Sequence, residues 1–163
     1  MKRFLCLIFS LLLLLSGCAL SKLREPVAFY YPRAQYHYGS ADGVIVRELR
    51  EGSGHMEDFS YLLSLYLMGP ENEELTAPLP QDVQLLETAT KRNGIYLTLS
   101  DTSQLLTESE FSLACACLAL TAIEITGQEA VTIESGDRSI TMTAADLTLY
   151  DDSAAIAATE ETQ

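Results

Sequence analysis

Four cysteines, two histidines and a few paired carboxylates are the residues of this chain that could do chemistry, and their spacing limits what that chemistry is. Cys115 and Cys117 stand two residues apart, which is neither the gap of a Cys-x-x-Cys redox site nor a zinc-ligand pattern. On a helix they would project about 200° apart, too far to bridge each other. They read as small, buried, apolar side chains. His37 and His55 sit in polar stretches without metal-ligand spacing, and no His-Glu-x-x-His helix is present. Gly52-Ser53-Gly54 lacks the strand-to-helix setting that strains the serine of a nucleophile elbow. Glu71, Glu73 and Glu74, and the pair Asp151-Asp152, lie in strongly polar segments where nothing would separate their pKa values for acid and base work. No catalytic residue, cofactor site or metal site is expected.

The residue with the clearest chemistry is Cys18. Lys2 and Arg3 precede an apolar run over residues 4–15, followed by Leu15-Ser16-Gly17-Cys18. A positive start, an apolar middle and small residues at a cut are the layout of a secretory signal. The run is about a dozen residues, short of the roughly 20 needed to cross a bilayer as a helix. The tetrad resembles the bacterial lipobox, in which the cysteine thiol receives a diacylglyceryl group, with acyl chains such as palmitate, and becomes the first mature residue. Each buried methylene contributes about 0.8 kcal/mol of membrane affinity, so two chains hold a domain far longer than one. The expectation is a signal peptide at 1–17, a lipidated tether at 18–26, a folded domain at 27–143 and an acidic tail at 144–163. The lipid on Cys18 would hold the domain on the extracytoplasmic face of the cell membrane.

Loss of Lys2 and Arg3 with the signal would take the formal charge of the 163-residue chain from −13 to −15. Phosphate backbones and anionic lipid surfaces are repelled by such a charge, so nucleic acid is excluded as a partner. The remaining length suffices for one domain with one core.

Residues 27–31, Val-Ala-Phe-Tyr-Tyr, are rich in β-formers and end at Pro32. A second strand is predicted at 44–50 after the Asp42-Gly43 turn signal. From Met56 the period changes: Phe59, Leu62, Leu63, Tyr66 and Leu67 form one helical face, stopped by Gly69-Pro70. Two strands over 83–89 and 95–99 flank Asn93-Gly94, a hairpin signal. Thr107 and Glu110 form a capping box ahead of a helix that is apolar on most of its circumference and ends at Gly127. A last hairpin joins 130–133 to 139–142, and 144–150 is expected to dock as a short helix or strand. Phe29 and one of its adjacent tyrosines belong in the core, whereas Tyr36, His37 and Tyr38 form a candidate patch for a protein or glycan partner.

The order of these pieces resembles the GerMN domain of sporulation and germination lipoproteins. The resemblance is carried by Phe29-Tyr30-Tyr31-Pro32, the strand from Gly43 to Arg50 and the helix end Leu67-Met68-Gly69-Pro70. It continues through Ala77-Pro78-Leu79-Pro80-Gln81-Asp82-Val83 and Asn93-Gly94-Ile95-Tyr96-Leu97-Thr98-Leu99-Ser100. It implies an α/β (α+β) two-layer sandwich, with two helices packed on one mixed, mostly antiparallel sheet. It also implies a non-enzymatic interaction module with an envelope protein as partner, supporting sporulation, germination or envelope assembly. A cell-envelope hydrolase and a small-ligand or glycan-binding lipoprotein are the alternative readings.

Overall fold

The computed structural model describes residues 26–37, 43–52, 54–92 and 94–147. Cys18 and its tetrad, Tyr38, Ser53, Asn93 and Asp151-Asp152 lie outside the described residues.

Strand β1 (Pro26–Pro32) is buried at every position from Val27 to Pro32. An unbroken apolar run is what a strand covered on both faces requires. Phe29 and Tyr31 join the main core with Leu62, Leu63 and Tyr66, while Ala28 and Tyr30 form a smaller cluster with Leu120. Both adjacent tyrosines are therefore interior. Strand β2 (Ile45–Glu51) pairs antiparallel with β1, placing Phe29 opposite Glu48 and Tyr31 opposite Val46.

Helix α1 (Phe59–Leu67) begins at Phe59, the first residue of the predicted face, where the Asp58 carboxylate accepts the Tyr61 N–H at 3.0 Å and fixes the first turn. Gly69, at φ +93°, and Pro70 end it. Strand β3 (Leu85–Lys91) starts two residues after Val83, and a bulge between Leu85 and Glu87 shifts its register against β4 (Gly94–Leu99). Lys91 lies opposite Gly94 at the closed end of this hairpin. A Cβ on Gly94 would sit 2.3 Å from the Ala130 carbonyl oxygen, so only glycine lets the hairpin lie this close to its neighbour.

Helix α2 (Glu108–Thr126) carries the expected capping box: the Thr107 N–H donates to Glu110 Oε2 at 2.8 Å, and the Glu110 N–H to Thr107 Oγ1 at 3.4 Å. The Thr107 hydroxyl also donates to Glu110 Oε2 at 2.7 Å, and this bond first, with that from the Thr107 N–H, holds the Glu110 carboxyl below its ordinary pKa. Gly127 ends the helix in the left-handed region at φ +66°. Strands β5 (Ala130–Ser135) and β6 (Arg138–Thr143) form the last hairpin, and a 3₁₀ turn (Ala144–Asp146) follows.

The architecture is α+β with mixed, mostly antiparallel pairing. The strands divide between two sheets, however, rather than joining into one: a β1-β2 ribbon and a four-stranded sheet in the order β3-β4-β5-β6, with β4 and β5 parallel. Helix α2 explains the division. It contacts β1 of the ribbon, β5 and β6 of the larger sheet, and α1. Phe111, Ala114, Cys115, Leu118, Ala119 and Ala122 enter the main core, while Leu120 faces the Ala28–Tyr30 cluster. A helix of this length and composition could cross a membrane on those grounds alone, but its apolar surface is used between protein layers. Burying each Phe or Leu contributes roughly 1.5–3 kcal/mol.

Candidate interaction surfaces

Cys115 and Cys117 are free and buried. Burial pushes the Cys115 thiol up to about 12 and Cys117 higher still, so neither is a thiolate at neutral pH. His37 is exposed, and His55, also exposed, rests its ring 4.2 Å from that of Tyr61. No group of three metal-ligating side chains occurs among the described residues. Of the aromatic patch, Tyr36 is half-buried and His37 exposed, and Tyr38 is not described.

The acidic loop 71–74 is tied down by two residues on one face of β2. Glu48 Oε1 accepts the backbone N–H groups of Glu71 at 3.0 Å and Asn72 at 2.8 Å. Arg50 pairs through Nε with Glu71 at 3.1 Å, and its Nη1 donates to the Gly69 carbonyl at 3.0 Å and the Leu65 carbonyl at 3.4 Å. Its guanidinium also lies 5.2 Å over the Phe29 ring. A cation at the end of α1 satisfies carbonyls left free by the helix and opposes its dipole. Beneath it the Tyr31 hydroxyl donates to the Tyr66 carbonyl at 2.9 Å, the two rings stacked at 4.9 Å. Burial raises the Tyr31 phenol well above its usual range.

A second knot surrounds Arg138, whose guanidinium lies 4.1 Å over Phe111 and donates to the Leu106 carbonyl at 3.1 Å and to Thr102 Oγ1. Thr102 and Ser135, both buried, share a hydroxyl contact of 2.8 Å, and Ser135 donates to the Ser100 carbonyl at 2.9 Å. These hydroxyls face an arginine and carbonyls, with no histidine or carboxylate within their hydrogen bonds to act as base. The knot fastens the segment before α2 to the β5-β6 hairpin. Sequence reasoning passed over Glu48, Arg50, Thr102, Ser135 and Arg138. The available signal was the i, i+2 spacing of Glu48 and Arg50, which sets two charges on one face of a strand paired to an aromatic one.

What remains available is surface. The larger sheet covers α2 with one face; on the other, Tyr96, Thr98 and Thr132 are half-exposed among Glu87, Lys91, Glu134 and Thr141. Lys91 Nζ lies 3.8 Å over the Tyr96 ring, and Thr132 and Thr141 share a hydroxyl contact of 2.9 Å. Strand β3 forms one edge of this sheet and β6 the other. An open hollow lined by Arg92, Gly127, Gln128 and Glu129 is polar and of mixed charge, unlike the enclosed apolar clefts that hold most small ligands.

A family model described as "Germane: Sporulation and spore germination" matches residues 28–141, nearly the whole described fold. The chain belongs to this family. Its domain is of the GerMN type. The first GerMN domain of the sporulation protein GerM from Bacillus subtilis superposes with a TM-score of 0.51 at 14% identity, covering 72% of this chain and 86% of that one. The tandem GerMN domains of the same protein give 0.48 at 16%, covering 76% and 43%. A Clostridium perfringens protein provisionally described as a lipoprotein gives 0.44 at 15%, covering 74% and 88%. No relative was found among curated proteins. At these identities the structural likeness concerns the fold; membership rests on the family match.

Proposed function

We propose that this GerMN-type chain is a non-enzymatic interaction module of the cell envelope, cut before Cys18 and held by acyl chains on the extracytoplasmic face. There it supports the assembly of a sporulation, germination or envelope complex by binding another envelope protein. The single observation carrying this reading is the family match over residues 28–141. The lipobox-like Leu15-Ser16-Gly17-Cys18 supports the anchor. The described core supports the absence of catalysis, since the Thr102 and Ser135 hydroxyls and the Arg50 and Arg138 guanidinium groups tie loops to strands, and the Cys115 and Cys117 thiols are buried. Residues 1–17 are the removed signal, 18–26 the tether, 27–143 the working domain and 144–163 a tail.

The anchor is tested by mass spectrometry of the mature N-terminal peptide together with membrane fractionation. A diacylglyceryl mass on Cys18, and release of the Cys18→Ala chain from membranes, are expected. An unmodified Cys18 in a membrane-bound chain would set the anchor aside. Turnover of peptidoglycan or peptide substrates by the purified protein would replace the module reading with that of a hydrolase.

A further inference from the structure

Strand β3 is the edge of the larger sheet, and its own sequence is complementary to a second copy of itself. Lys91 pairs with Gly94 at the closed end of the β3-β4 hairpin, and the register runs back through Ala89 opposite Tyr96 to Glu87 opposite Thr98. Residues flanking a two-residue hairpin loop exchange backbone hydrogen bonds, and antiparallel pairs alternate from there. Glu87, Ala89 and Lys91 therefore turn their N–H and C=O groups toward β4, and Thr88 and Thr90 turn theirs outward. Both threonines are exposed.

The side chains of Glu87, Ala89 and Lys91 lie on the open face of the sheet, with the alanine midway between two opposite charges. Glu87 has no ion-pair partner among the described residues. A lone lysine on an edge strand repels a second copy. A glutamate four residues before it reverses that sign when two such strands run antiparallel.

We propose that β3 accepts the β3 strand of a second copy of this chain, antiparallel, about a two-fold axis at Ala89. In that register Thr88 faces Thr90 of the second copy, so that about four outward backbone groups on each strand find partners. Glu87 faces Lys91 of the second copy, and by symmetry Lys91 faces Glu87, at the close spacing of non-hydrogen-bonded pairs. Sliding by two residues leaves Glu87 opposite alanine or outside the strand and loses both ion pairs. The other edge lacks this complementarity, since β6 has Arg138 as its one charged residue and that guanidinium is committed to Phe111, Leu106 and Thr102. In the β1-β2 ribbon, Arg47 is taken by Glu124 and Arg50 by Glu71.

So short an edge makes a weak contact in dilute solution, and confinement to a membrane surface raises its effective concentration. The inference rests on the interaction reading above by naming one partner for it. Its test is separable, because pairing through β3 requires neither lipid nor an envelope protein.

The test is oxidative cross-linking of the full chain carrying Ala89→Cys, in membranes of an expressing bacterium and again as purified protein. Unsubstituted protein and Thr141→Cys on β6 serve as controls. A reducible dimer is expected with Ala89→Cys and not with either control. Glu87→Lys makes both charge pairs repulsive and is expected to lower the dimer yield about fivefold or more, as is Lys91→Glu. The double reversal Glu87→Lys with Lys91→Glu is expected to restore it. Thr90→Pro removes an outward N–H without touching the β4 ladder, and should abolish the dimer while leaving the circular dichroism spectrum unchanged. No dimer with Ala89→Cys, equal cross-linking through Thr141→Cys, or a double reversal that restores nothing would each overturn the proposal. Dimer formation in purified protein lacking Cys18 lipid would uphold it even if the anchor were disproved.

Discussion

The Tyr30 N–H donates to the Thr121 hydroxyl at 3.0 Å, joining the first strand to the middle of the last helix across 91 residues of sequence. A strand edge facing a helix presents a row of donors that the helix backbone cannot accept. Thr121, buried among apolar neighbours on α2, supplies an acceptor there. The bond lets β1 lie against α2 while keeping both of its faces in the core.

Removing that acceptor should be costly. Thr121→Val keeps the shape and leaves the Tyr30 N–H buried without a partner, for an expected loss of about 1–3 kcal/mol. Thr121→Ser keeps the acceptor and should lose less. Urea unfolding of the three proteins checks the order, and equal midpoints for Val and Ser would deny the bond this role.

Gly94 carries a sharper constraint. Because an added Cβ meets the Ala130 carbonyl, Gly94→Ala must push β5 away or unmake the hairpin, with an expected destabilisation of about 1–3 kcal/mol or more. Gly127→Ala meets open space and only a left-handed φ, so about 1 kcal/mol is expected there. Denaturation midpoints give the comparison directly.

Much of this was legible in the sequence. The Thr107 and Glu110 cap, the Gly127 end, the Gly69-Pro70 stop and the all-round apolar helix are each decided by residues close in sequence, and each stands as read. The family resemblance stands as well, because it lay in the order of those signals. The division into two sheets was not legible, since alternation along a strand says which residues are inside and nothing about which strand lies beside it. Nor was the bulge beside Leu86 in β3, which no residue spacing announces. The roles of Arg50 and Arg138 were not legible either, because besides Glu71 and Glu108 their partners are main-chain carbonyls, a hydroxyl and ring faces, which leave no mark in the sequence.

Arg50 is therefore open to test. Arg50→Ala removes the donor to Gly69 and Leu65 and the partner of Glu71, and should speed amide exchange over residues 68–75 about tenfold while leaving β4 and β5 unchanged. Lysine cannot reproduce the fork of contacts, so Arg50→Lys should recover only part of the protection. Exchange measured by mass spectrometry separates the two regions.

Alkaline pH should unfold the domain from the inside. In the folded chain burial raises the Cys115 thiol from 9.0 to about 12 and raises the Tyr31 and Tyr66 phenols. These groups hold protons more tightly when folded: the thiol's stabilising contribution is complete below its unfolded value of 9.0 and is lost as pH rises toward 12, and that of the phenols is complete below 10.0 and is lost at higher pH. Denaturation midpoints should fall across that window. Alkylation of Cys115 and Cys117 at mildly alkaline pH should be negligible until denaturant is added.

The most direct test of a tethered interaction module is cross-linking in living cells of the source organism, in growth and in starvation, with the full chain and Cys18→Ala compared by mass spectrometry. Envelope proteins recovered with the full chain and lost with Cys18→Ala are the expected result. A chain that yields no specific protein neighbour in either condition, or the same neighbours with and without Cys18, would contradict it.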